Sequence, residues 1–283
     1  PVVQMSGQNS TCLADPPFLL TCGSPSGGIY SGTGVNTSTG VFSPSSGAGV
    51  HIITYAYTDL NGCSASAYQG LKVIPPPQPS GTITGPASVC ESAQHIAYTL
   101  NDPDTLATSF TWEISPDTAG DISGTSFTVE ISFTPGFSGN AAIRFRPSGN
   151  CGTGSYSAYS PIMVHTLPIV TLVPCIDPVT TRGAKPILLK GGRPVNGSYA
   201  LDGIALPSGI LNPATVGTGS NTHLLSYTYT NTHGCTAAAT LSLRVNNASV
   251  FTCGSVLTDI RDLSTYPTFE VVTGTVHRCW MRK

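Results

Sequence analysis

The sequence predicts an all-β protein built from three tandem β-sandwich modules and a short C-terminal tail. Three observations carry that prediction. The stretch His51 to Cys63, HIITYAYTDLNGC, returns at His223 to Cys235 as HLLSYTYTNTHGC about 170 positions later, so one module is used twice. Charged residues are only 9% of the chain, while Gly and Pro number 31 and 23. Short alternating runs broken by Gly, Pro, Asn and Asp fit sandwich strands, and no window carries convincing helical periodicity. Length alone suggests about two domains of ~150 residues each, but the internal repeat favours three smaller ones.

The repeated stretch is a strand followed by a hairpin. β-branched and aromatic residues dominate Ile52 to Thr58, the composition of a pleated, half-buried surface. Ile53, Tyr55 and Tyr57 share one face, and Ile52, Thr54, Ala56 and Thr58 the other. Asn61-Gly62 is a turn signal needing φ > 0, and Cys63 opens the return strand ending at Ile74. Asp59-Leu60-Asn61-Gly62 also fits a fragment of a calcium loop, but without further carboxylates a plain turn is the better reading.

Taken in order, the first module spans 1–74, with a strand at Phe18-Leu19-Leu20, a turn-rich Gly23 to Gly28, and strands around Ile29-Tyr30 and Val41-Phe42. Residues 75–79, Pro-Pro-Pro-Gln-Pro, form a stiff polyproline linker. The middle module, 80–166, carries Ser109-Phe-Thr-Trp-Glu-Ile114 between Cys90 and Cys151, suggesting the core Trp of an immunoglobulin-like sandwich. The third module, 167–246, repeats the order of the first, with Cys175 aligned to Cys12 and Cys235 to Cys63. Residues 247–283 have no sandwich pattern and are too short to bury a core alone, so the tail is stapled, docked, or the start of something larger.

The nine cysteines lie far apart, with no CxxC and no His/Cys cluster at zinc spacing, which fits disulfides in an oxidising compartment. The expected bridges are Cys12–Cys63, Cys90–Cys151, Cys175–Cys235 and Cys253–Cys279. The first would close a loop of about 50 residues, worth ~4 kcal/mol on a chain-entropy basis. Cys22 has no counterpart in the third module and is the odd cysteine, read as a buried thiol rather than a bridge to another chain.

Several function classes are disfavoured. A net charge of −2 leaves no basic footprint for nucleic acid, and no run of 18 apolar residues spans a membrane. The six histidines are scattered without ligand spacing, no GxSxG occurs, and Glu91, Glu113, Glu130 and Glu270 nominate no carboxylate pair. No catalytic, cofactor-binding or metal residue is assigned, no cofactor is expected, and the chain is read as non-enzymatic. Tyr55, Tyr57, Tyr227 and Tyr229 read as core residues rather than sugar-stacking platforms. A chain beginning at Pro1 is read as a mature or cut product of a longer precursor.

Gly27-Gly28-x-Tyr30-Ser31-Gly32, Gly40-x-Phe42-x-Pro44 and Ile53-Thr54-Tyr55 to Asp59-x-Asn61-Gly62-Cys63 resemble the Ig-like repeats of secreted surface proteins of Bacteroidota. The third module matches more loosely, with Ala200-Leu201 where Ser-Gly is usual. Ser80-Gly-Thr-Ile-Thr-Gly-Pro86, Val89-Cys90, Thr111-Trp112 and Asn150-Cys151-Gly152 are similar to PKD-like domains. Leu257-Thr258-Asp259, Arg261-Asp262, Tyr266-Pro-Thr268 and Cys279-Trp280-Met281 resemble the opening of the Fibrobacter succinogenes major paralogous domain.

These resemblances imply a large modular protein exported across the outer membrane, often by the type IX route, and held at the bacterial cell surface. They imply no enzyme activity. Thr105 and Thr118, in Asp-Thr-Leu and Asp-Thr-Ala, fit the short O-glycosylation pattern of that group. The expected role is an adhesive stalk or filament segment. Its expected partners are other copies, other surface proteins and the secretion machinery. The alternative is a glycan- or surface-polymer-binding module appended to a larger exported protein. The terminal segments are candidates to add a strand to a neighbour.

Overall fold

The computed structural model describes residues 1–173, 179–216, 222–246, 253–258, 263–273 and 276–281. Among them all regular structure is β apart from three 3-10 turns, Pro44–Ser46, Asp117–Ala119 and Pro213–Thr215. The chain divides into two compact units, Pro1–His165 and Thr166–Lys283.

The first unit holds two sandwiches with separate cores. In the first, one sheet runs in the order Ser10–Cys12, Ser64–Ile74, Gly49–Thr58, Ile29–Ser31. Ser10–Cys12 lies parallel to the end of Ser64–Ile74, and the other neighbours are antiparallel. Short strands at Phe18–Leu19, Val41–Phe42 and Val35–Asn36 form a second sheet, and Gln4–Met5 pairs with Gly23–Ser24. His51, Ile53 and Tyr55 point inward with Tyr30, Phe42, Leu71 and Val73, while Val50 and Ile52 stay exposed, as the period of two requires. The hairpin glycine Gly62 sits at φ +79, and its repeat partner Gly234 at φ +80.

The second sandwich packs the sheet Thr82–Thr84, Ile96–Asn101, Thr128–Phe133, Gly120–Ser123 on the sheet Ser88–Cys90, Ser160–His165, Gly139–Gly149, Ser109–Ser115. Ile131 and Ile143 are fully buried between them. Trp112 packs on Phe145, with ring centroids 5.6 Å apart, and its indole N–H donates to the Ser126 carbonyl at 3.1 Å. This is a core tryptophan, but no Cys90–Cys151 bridge lies behind it.

The second unit contains the repeat of the first sandwich. Its sheet runs Val179–Thr181, Thr236–Asn246, Thr222–Thr230, Ser198–Leu201, Ile204–Leu206, again with the first pair parallel. Ile187–Leu188 pairs with Ile210–Leu211, and Thr171–Leu172 with Gly192–Arg193. Leu211, Leu225 and Leu243 centre its core. The tail forms a three-stranded sheet, Val256–Thr258, Thr265–Thr273, Val276–Met281, antiparallel throughout.

Candidate functional site

The functional candidate is the junction between the two sandwiches of the first unit. It begins at Ser10–Cys12, where Cys12 stands opposite Ile74, the last residue of the final strand, and the Leu13 N–H donates to the Ile74 carbonyl at 2.9 Å. Asp15 fixes this corner by accepting from the Cys12 N–H and the Thr11 hydroxyl, each at 2.8 Å. Those two hydrogen bonds hold its carboxyl below the usual carboxylate range.

The polyproline linker leaves from the same corner and is pinned to the second sandwich. Pro77 is buried. The Gln78 N–H donates to Asp104 at 2.7 Å, and the other Asp104 oxygen accepts from the Leu106 N–H at 2.9 Å. Both bonds lower the Asp104 pKa. Gly154 lets the Gly139–Gly149 hairpin close over Pro77, since a Cβ there would collide with the Pro77 carbonyl, and a Cβ at Gly149 would collide with the Leu106 carbonyl. Asn150-Cys151 forms the hairpin tip between Gly149 and Gly152. There Cys151 bonds Cys12, with Cα atoms 5.2 Å apart and 139 positions between them in sequence.

This pairing corrects the expected Cys12–Cys63 and Cys90–Cys151 bridges. Cys12 stands beside the last residue of Ser64–Ile74, while Cys63 precedes its first. Eleven residues at ~3.3 Å each separate them by roughly 36 Å, far beyond the ~7 Å Cα limit of a disulfide. Cys90 and Cys151 fail for the same reason. Cys90 stands opposite His165, and Val164 pairs with Gly139, whereas Cys151 lies past Gly149 at the other end of Gly139–Gly149. Strand length was visible in the sequence. The parallel pairing that sends Cys12 to the far end was not.

Cys63 is a free, exposed thiol, so the set expected to be bridged loses a member. Cys22 is also free and half-buried, its Cβ packed against Gly7. Cys90 and Cys235 are in disulfides, and Cys175 lies outside the described residues. The sequence alignment of Cys175 with Cys12 is also corrected. Thr181 stands opposite Asn246 as Cys12 does opposite Ile74, and the Arg182 N–H donates to Asn246 as Leu13 does to Ile74. In the tail, the structure brings Cys253 and Cys279 together, with Cα atoms 5.7 Å apart.

The turn, carboxylate and core-tyrosine candidates serve the fold. Asp59 accepts from the N–H groups of Asn61 and Cys63 at 2.9 and 3.0 Å. Asn231 accepts equivalently from His233 and Cys235, both at 3.0 Å, so a neutral side chain does the same work and the turn reading prevails over a calcium loop. Among the described residues no group of three His, Cys, Asp or Glu is placed to hold a metal. Glu113 accepts from the Tyr156 hydroxyl and from Arg144 Nε at 2.9 Å. The Tyr156 bond first, then Arg144, lowers its pKa, the opposite of what a general acid needs. Arg144 in turn stacks over Tyr156 and Tyr159, 4.0 and 4.7 Å from the ring centroids. Thr105 and Thr118 are both exposed, in a turn and in the Asp117–Ala119 turn. Tyr55 and Tyr227 are 2% exposed, which removes them as sugar platforms.

A family model described as PKD-like domain matches residues 76–161. No curated protein matches the chain in sequence. Among solved structures, it is similar to the Ca2+-stabilized adhesin with which an Antarctic bacterium binds ice, at 14% identity and TM-score 0.36, over 90% of this chain and 75% of that one. It is also similar to protocadherin gammaB7 EC3-6, at 13% identity and TM-score 0.34, over 88% and 73%. The I-band fragment I67-I69 of titin aligns at 15% identity and TM-score 0.32, over 80% and 85%. These values are too low to transfer any ligand or partner to this chain.

Proposed function

We propose that this chain is a non-catalytic extracellular segment, a stalk or filament piece of a larger exported cell-surface protein. In this reading, Ig-like modules occupy 1–74 and 167–246, a PKD-like module occupies 80–166, and 75–79 is the linker. Residues 247–283 begin a further domain, the Fibrobacter succinogenes major paralogous domain, or dock as a tail. The Bacteroidota origin and the type IX route belong to the same proposal, as does sugar attachment at the exposed Thr105 and Thr118. Three separate cores and the match at 76–161 support the module boundaries.

The observation that carries the reading is the stapled junction. A polyproline linker already resists bending, and here it is also buried at Pro77, hydrogen-bonded through Gln78 and bridged by Cys12–Cys151. A joint held in this way suits a segment that transmits position or force. Disulfides also persist in oxidising, extracytoplasmic settings. The test is small-angle X-ray scattering of the full chain before and after reduction. The oxidised protein is expected to behave as stiff jointed modules and to gain flexibility on reduction. Freely mobile modules in the oxidised protein would sink the stalk reading.

A further inference from the structure

The Cys12–Cys151 bond joins the downstream end of one sandwich to the upstream end of the next. Each end has a defined address. The downstream address is the last residue of the short strand lying parallel to the final strand: Cys12, Cys90 and Thr181. The upstream address is the hairpin between the last two long strands of the same sheet: Cys63, Cys151 and Cys235. At the upstream address Cys151 is bonded to the preceding sandwich and Cys235 is also disulfide-bonded. Cys63 has the same address, but it is exposed and its thiol is free. What singles it out is that the equivalent cysteine is oxidised in both other sandwiches.

We propose that Cys63 is a covalent docking site for the downstream-address cysteine of another β-sandwich module, one lying outside these 283 residues. A second copy of this chain does not supply that cysteine, because its third sandwich carries Thr181 there. The chain therefore accepts a module at its first sandwich, and at the Thr181 position of its third it carries a hydroxyl in place of a thiol. The bond forms by thiol–disulfide exchange. The Cys63 thiolate attacks a disulfide oxidant, such as oxidised glutathione or a dithiol oxidoreductase, and releases one thiolate. The incoming cysteine thiolate then displaces the second. Two electrons reduce the oxidant disulfide to two thiols, and the two protons shed by the cysteines end on them. The inference rests on the oxidised setting of the stalk reading.

The test uses the full chain as its own probe. Thr181→Cys gives one copy the missing downstream thiol, and Thr37→Cys, at an exposed turn of the first sandwich, is the control. Each is incubated in a glutathione redox buffer and mapped by non-reducing peptide mass spectrometry. The Thr181→Cys protein is expected to form head-to-tail oligomers linked from position 181 to Cys63, at least ten-fold faster than Thr37→Cys links to Cys63. Adding Cys63→Ser is expected to abolish them. Equal rates in the two proteins, or oligomers that survive Cys63→Ser, overturn the proposal. Cys12–Cys151 is read in the same digest. Its loss counts against the stalk reading, whereas its retention without a Cys63 link overturns the docking site alone.

Discussion

Tyr55 and Tyr227 make the same pair of hydrogen bonds in two different sandwiches. The Tyr55 hydroxyl donates to the Pro25 carbonyl at 2.5 Å and accepts from the Gly28 N–H at 2.6 Å. Tyr227 does the same with Pro194 at 2.5 Å and Gly197 at 2.6 Å. Each ties the long hairpin to a loop some 30 positions upstream. In the middle sandwich a different tyrosine tie occurs: Tyr98, on Ile96–Asn101, donates to the Pro86 carbonyl at 2.9 Å, and burial pushes its pKa up to about 12.

Removing one of these hydroxyls leaves both a half-buried N–H and a half-buried carbonyl without their partner. Tyr55→Phe is expected to cost about 1–3 kcal/mol, read by denaturant unfolding, and Tyr227→Phe a similar amount in a different transition. Gly28→Ala is expected to be worse, since its Cβ would lie 2.5 Å from both the Ala56 carbonyl oxygen and the Tyr55 ring. If both tyrosine variants unfold like the wild type, the tie is not structural.

Ile131 and Ile143 meet in the core of the second sandwich, both at 0% exposure. Replacing either with Ala is expected to destabilise by about 2–5 kcal/mol. Scanning calorimetry checks which transition moves. Because the neighbouring sandwich has its own core around Phe42 and Tyr55, its transition is expected to shift far less. A uniform shift of all transitions would contradict separate cores.

The Cys12–Cys151 bond encloses most of two sandwiches. Chain entropy over a loop of ~140 residues sets an upper bound of about 5 kcal/mol. Each sandwich retains its own packing, so Cys12→Ser is expected to lower stability by less than that bound and to loosen the junction first. Faster proteolysis within residues 75–79 is the readout. Unchanged cleavage there would show that the proline run alone holds the joint.

Asp202 accepts from His223 Nδ1 at 2.6 Å and from the Leu224 N–H at 2.8 Å. The histidine bond first, then the backbone bond, holds the Asp202 carboxyl below its ordinary value. An acid depressed in the folded state stabilises the fold above its unfolded pKa of about 3.9, and that contribution disappears as pH falls through the folded value. The third sandwich is therefore expected to lose stability below about pH 4, and Asp202→Ala to flatten that loss. The carboxylate is partly exposed, so the effect is expected to stay near 1 kcal/mol or less. Thermal melts from neutral to acid pH measure it.

The sequence alone determined the fold class, the repeat and the inward faces. A period of two places Ile53 and Tyr55 on one side, and Asn-Gly makes the turn at Gly62, both by local chemistry. It also marked the cysteines as disulfide material, but it did not pair them correctly. That was decided by tertiary structure. A three-residue strand at Ser10–Cys12 lies parallel to a strand more than fifty positions later, which carries Cys12 to the opposite end of the sheet from Cys63. No local pattern encodes that choice, because it depends on which strand completes the edge of the sheet. Once it is made, the roughly 36 Å length of the strand forbids the bridge within the module, and Cys151 of the next sandwich is the cysteine within reach.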